Sequence, residues 1–161
     1  MIEIEIGYVR SGGRGRRRED EISLRGASSV ELMYSCFVGN IKFVVGGLDL
    51  SVDFDWVPLL HFANNMDLIF AAVGPGDEKY YYFTESSDFI RLSAQGDDVL
   101  VECSYVPGRS ATVNRVDGVL ATRAAASTLI GQLEESYPEL RGNPIFAEIA
   151  ERVRRPPGRL D

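Results

Sequence analysis

The sequence predicts an α+β fold: a mostly antiparallel sheet of about seven to eight strands with about three helices packed mainly on one face. Three observations carry this. Apolar and polar residues alternate over most of 30–54 and again over 79–116. Gly- and Asn-rich pairs break those runs at the spacing of tight turns. Elsewhere, longer stretches repeat their apolar residues every three or four positions. The order is strands, helix, strands, two helices, so a sandwich of two halves stays open beside a single sheet.

Each element has its own warrant. Ile2, Ile4, Ile6 and Tyr8 alternate with Glu3 and Glu5, as in a half-buried strand. Arg10 to Arg18 has no apolar side chain, which predicts a flexible Arg/Gly loop over 10–20 that folding does not need. A short strand resumes at Ile22 and Leu24. Val30, Leu32, Tyr34, Cys36 and Val38 share one strand face. Gly39-Asn40 then turns the chain into Ile41, Phe43 and Val45. Gly46-Gly47 turns it again into Leu48, Leu50, Val52 and Phe54, completing a three-stranded meander.

A helix follows, with Asp55 as its N-cap and Pro58 in its first turn. Trp56, Leu59, Leu60, Ala63, Met66, Phe70 and Val73 form its stripe, and Gly74-Pro75-Gly76 ends it. Four strands are expected near Lys79–Thr84, Phe89–Ala94, Val99–Val106 and Ser110–Val116. Asp117 is expected to cap a helix through Glu135, with Leu120, Ala124, Leu129, Ile130 and Leu133 inward. Asn143 and Pro144 read as N-cap and first residue of a last helix through Val153. One domain over 1–153 is expected, then a disordered tail over 154–161.

A chain of 161 residues can bury a core without disulfide or metal. Neither a stretch of about 20 apolar residues nor a basic, apolar leader is present, so no membrane association and a cytoplasmic location are expected. Cys36 and Cys103 form no CxxC motif and are expected as buried free thiols. Fifteen of 17 basic residues are Arg, a compositional mark of a GC-rich bacterial genome. Residues 26–149 hold 17 acids against seven bases, while both ends are basic. An acidic body disfavours nucleic acid and favours a basic protein partner; a homo-oligomer is compatible with it.

The candidate site residues follow from that charge pattern. Asp49, Asp53 and Asp55 alternate with Leu48, Leu50, Val52 and Phe54, so they line an outer strand face. They lack the glycine and distal glutamate of a calcium loop, and no metal site is assigned. Tyr80-Tyr81-Tyr82-Phe83 puts aromatics on both faces of one strand, so Tyr81 or Tyr82 is available to a partner. His61, the only histidine, lies off the apolar stripe and has no nucleophile elbow to serve. No catalytic residue and no cofactor are assigned. One alternative is an RNA- or phosphate-associated protein using Arg14, Arg16, Arg17 and Arg18. Another is an enzyme whose site is assembled from scattered Asp, Tyr and Arg.

The glycine-turned meander, the helix entry Asp53-Phe54-Asp55-Trp56-Val57-Pro58-Leu59-Leu60 and the four later strands resemble small bacterial immunity-type proteins in layout and size across residues 30–135. That resemblance implies a protein that acts by binding another protein, often a toxin, and blocking it. It assigns no functional residue.

Overall fold

The computed structural model describes residues 1–8 and 17–156. Two four-stranded antiparallel sheets share a layer of helices. The first contains β1 (Ile2–Glu5), β2 (Val38–Val45), β3 (Leu48–Asp49) and β4 (Val52–Pro58). β1 pairs with one edge of β2, while β3 and then β4 run along the other. The second is a simple meander of β5 (Glu78–Tyr82), β6 (Phe89–Gln95), β7 (Asp98–Cys103) and β8 (Ser110–Asn114). The α+β class therefore holds, with two sheets in place of one.

A four-residue helix, α1 (Arg18–Glu21), precedes the long ones: α2 (Leu59–Ala72), α3 (Arg115–Ser136) and α4 (Pro144–Arg154). Among the described residues, no helix is long and apolar enough to cross a membrane. Helices α2 and α3 pack on each other and bridge both sheets. Ile41, Phe43 and Val45 from the first sheet and Tyr81, Ile90, Leu92, Val99, Val101 and Val113 from the second face the common core. Phe62, Phe70 and Met66 of α2 fill it. Each such side chain contributes about 1.5–3 kcal/mol through burial. The opposite face of each sheet meets solvent, so the alternation read from the sequence is real in both.

A buried carboxylate ties the helix layer together. Asp67 of α2 is fully enclosed and accepts hydrogen bonds from Arg123 of α3 (3.0 Å to Nε) and from Arg152 of α4. Arg152 also donates to Asn64 (2.6 Å). A second polar knot sits where β1 leaves its sheet. The Tyr8 hydroxyl donates to Glu19 (2.8 Å) and lies 2.6 Å from the Tyr137 hydroxyl, whose one proton goes either to Tyr8 or to Asp20 (3.1 Å).

Several local expectations are corrected. Val30 to Cys36 is not a strand. Ser28 and Glu31 form a capping box, Ser28 N–H donating to Glu31 (3.0 Å) and Glu31 N–H to Ser28 Oγ (3.2 Å). That box starts a helical turn that widens to π spacing over Glu31–Ser35. Leu32 and Cys36 point inward, while Val30 is 62% and Tyr34 48% exposed. Gly39-Asn40 lies within β2 rather than in a hairpin, leaving Gly46-Gly47 as the turn between β2 and β3. Leu24 begins a 3-10 turn, not a strand.

Asp55 does not cap α2. The helix starts after Pro58, and the Phe37 carbonyl accepts the free Leu59 N–H (3.0 Å) in place of a capping side chain. Asn114, not Asp117, caps α3 by accepting from Val116 N–H (3.0 Å). Val119, Thr122, Ala125 and Ala126 then face inward with Leu129, Ile130 and Leu133, and Leu120 and Ala124 are outside. Asn143 and Pro144 do open α4, Asn143 accepting from Ile145 and Phe146 N–H.

The loop expected over 10–20 is ordered from Arg17 onward, because Glu19 is buried against Tyr8; its remainder lies outside the described residues. Arg154, expected to open a disordered tail, instead closes α4 and pairs with Glu134; residues 157–161 of that expected tail lie outside the described residues.

Candidate functional site

The least regular part of the first sheet is the pairing of β2 with β4. Gly39 pairs with Val57 and Ile41 with Val52, so β2 takes two steps while β4 takes five. The surplus residues, within Asp53–Trp56, bulge out of the sheet. Asn40 takes over the lost pairing: its side-chain NH2 donates to Asp55 Oδ1 (2.9 Å), and its carbonyl accepts Asp55 N–H (2.6 Å). Asp55 is held at φ 62°, a left-handed conformation that aspartate tolerates better than most residues.

The bulge sorts its side chains by polarity. Asp53 and Asp55 project into solvent. Phe54 and Trp56 stack on each other at 5.1 Å and are half-buried. Phe54 then reaches the second sheet, edge-on to Phe83 (5.8 Å) and Tyr105 (6.0 Å). The Tyr105 hydroxyl crosses back to donate to the Leu50 carbonyl (2.8 Å). Asp49 is exposed farther along the same edge, where it accepts Ser51 N–H (2.9 Å); hydrogen bonding from the Ser51 side chain and then from its N–H holds the carboxyl below the usual range.

The tyrosine strand divides between core and solvent. Tyr81 is 2% exposed, packed edge-on to Phe62 and Phe83, and burial raises its hydroxyl pKa. It is therefore not available to a partner, which corrects one half of the expectation from sequence. Tyr82 is 60% exposed. It stacks at 5.7 Å on Tyr80, and both rings lie against Phe89 of β6. The neighbouring pair Arg91–Glu102 and the carboxylate of Glu78 complete an aromatic and charged outer face. The acidic run and the tyrosines do not share a sheet. Phe54, between Asp53 and Asp55, touches Phe83 just beyond β5, and Tyr82 is on the opposite side of that strand from Phe83.

The other candidates are placed as follows. Arg14 and Arg16 lie outside the described residues. Arg17 stands over the Tyr8 ring (5.4 Å) and 3.6 Å from Glu19, while Arg18 donates to Glu31 (2.9 Å). Both guanidiniums are engaged by groups of the chain itself. His61 is half-buried between the rings of Tyr34 (4.9 Å) and Tyr81 (5.5 Å), its Nδ1 3.2 Å from the Tyr81 hydroxyl; burial lowers its pKa. Cys36 and Cys103 are buried, and burial pushes their thiols up to about 12 and about 11. Among the described residues, no three His, Cys, Asp or Glu side chains gather as a metal would require.

Asn40, Phe54, Trp56, Tyr80 and Phe89 were not singled out from the sequence. Gly39-Asn40 imitates a turn, and Trp56 falls in register with the α2 stripe, so both signals pointed elsewhere. Comparison with protein-family models, curated proteins and solved structures finds no match.

Proposed function

We propose that this chain is a non-catalytic module that binds a basic protein partner, in the manner of an immunity-type protein blocking a toxin. The observation that supports the reading most is the β4 bulge. A left-handed aspartate costs about 1–3 kcal/mol of backbone strain where a regular ladder would cost nothing. The bulge sets Asp53 and Asp55 beside a half-exposed aromatic pair, one ring of which touches Phe83 just beyond the tyrosine strand. Carboxylates on such a surface steer a cationic partner and set its orientation, while the aromatics supply most of the contact energy. Arg17 and Arg18 are occupied by Glu19 and Glu31, which weighs against the arginine-loop reading.

The test is kinetic and uses a partner recovered from the native host by cross-linking. Asp53→Lys and Asp49→Lys slow association and weaken its dependence on salt. Tyr82→Ala mainly speeds dissociation. All three side chains are exposed, so thermal unfolding should stay unchanged. Unaltered kinetics in all three variants would remove this surface. Loss of the partner on ribonuclease treatment would return the arginine reading to the front.

A further inference from the structure

Among the described residues, the first strand pairs along one side of its backbone only. In the pairing of β1 with β2, Gly46 N–H donates to the Met1 carbonyl (2.8 Å), so residue 1 faces β2. Antiparallel ladders alternate, so Glu3 and Glu5 also turn their N–H and C=O groups to β2, and Ile2 and Ile4 turn theirs away. β2 agrees: Phe43, opposite Ile4, spends its N–H on Ser51 and its carbonyl on Leu50. Tyr8 continues the outward direction, and its N–H is met by Gln132 of α3 (3.1 Å). Among the described residues, no strand pairs with the outward groups of Ile2 and Ile4.

A groove of about 500 Å³ runs beside that edge. One wall is β1 and the other is the small-residue face of α3, with Ala121, Ala124, Ala125 and Thr128. Those short side chains leave the space between α3 and the strand edge unfilled. On the solvent face of β1, Glu3 and Glu5 hold one cation between them, Lys42 of β2 (2.6 and 3.3 Å). Two carboxylates against one ammonium leave one negative charge on the solvent face of β1.

We propose that the open edge of β1 takes an extended segment of a partner protein by strand addition, and that this segment alternates basic with small apolar residues. Its backbone bonds the outward N–H and C=O groups of Ile2 and Ile4. Its apolar side chains enter the groove against Ala121 and Ala124. Its basic side chains stand beside Glu3 and Glu5, as the mirror image of Lys42 across β1. A second copy of this chain fits poorly, because antiparallel self-pairing sets Glu3 opposite Glu5, and like charges directly opposed are destabilising. This surface is separate from the β4 bulge, and it holds or fails on its own.

The probe is a capped peptide of alternating Lys and Val, with a Glu/Val peptide of equal length and an N-methylated Lys/Val peptide as controls. Isotope-labelled protein is titrated at low salt, and amide exchange is followed residue by residue. The Lys/Val peptide should slow exchange at Ile2 and Ile4 and shift the Ala121 and Ala124 amides. Paired Glu3→Gln and Glu5→Gln changes should weaken it by about tenfold or more, with a shallower salt dependence. Ala124→Arg, on the exposed lip of the groove, should block it, and Asp53→Lys should leave it unchanged. Equal binding of the Glu/Val or N-methylated peptide, or protection at β5 instead of β1, would overturn the proposal. So would concentration-dependent self-association that protects Ile2 and Ile4 without peptide, since the occupant would then be a second copy.

Discussion

Helix α3 carries two glycines whose replacement by alanine should move stability in opposite directions. Gly118 lies where α3 crosses α2. A Cβ built there falls 2.5 Å from Phe70 Cδ1, with Cε1 closer still. Carbon atoms pack comfortably at about 3.5–4.0 Å, so the ring must retreat by about 1 Å. Phe70 is fully buried, so its ring can move only by displacing packed neighbours. Overpacking of this kind costs about 1–3 kcal/mol. Alanine in a helix interior returns about 1 kcal/mol relative to glycine. The expected net effect of Gly118→Ala is a loss of up to about 2 kcal/mol. At Gly131 the built Cβ meets nothing within 4 Å and the site is exposed, so only the helix term remains and Gly131→Ala should gain about 0.5–1 kcal/mol. Urea unfolding of both variants measures the difference directly. Adding Phe70→Leu should cost less in the Gly118→Ala background than in the parent, by about 0.5 kcal/mol or more. Equal stabilisation by the two alanines would refute the packing of α2 on α3 as described.

The helix-layer ion cluster gives a second expectation: Asp67→Asn should cost about 3 kcal/mol in urea unfolding, because it strands Arg123 and Arg152 beside a neutral group. A loss below about 0.5 kcal/mol would show those arginines to be solvated rather than paired. Both thiols should resist Ellman's reagent at pH 8 in the native protein and react together once urea unfolds it, given their burial and raised pKa values. His61 sets a pH dependence: its folded pKa lies below its unfolded value, so at falling pH the unfolded chain takes up a proton first and stability drops. Between pH 7 and pH 5 the parent should lose stability relative to His61→Gln, and parallel curves would mean that the imidazole titrates freely.

What was legible in the sequence was the period of each element. All four strands of the meander 78–114 were read, with ends off by up to three residues, because every strand there is local, alternating and closed by Gly or Asp turn chemistry. The region 28–58 was misread for two physical reasons. A capping box at Ser28 and Glu31 outweighed the alternation of Val30, Leu32 and Tyr34. The chain also entered α2 through a bulge, where Asn40, distant in sequence, completes the pairing of Asp55. Asp49, Asp53 and Asp55 were found on the surface by strand parity alone. Tyr81 was not distinguishable from Tyr82 until α2 was seen to cover it, because a strand with aromatics on both faces does not say which face is covered.

The difference between the two sheets has a consequence for the order in which the molecule assembles. In the second sheet each strand pairs with the next one along the chain, so every loop closure is short. In the first, β1 must find β2 more than thirty residues away, and its isoleucines are covered only when α3 arrives from beyond the whole second meander. Loop closure grows costlier with separation, and rates fall as contacts become less local. Pulse-labelled hydrogen exchange during refolding should therefore find the amides of β6 and β7 protected first and those of β1 last. Early protection of Glu3 and Glu5 would reverse that order.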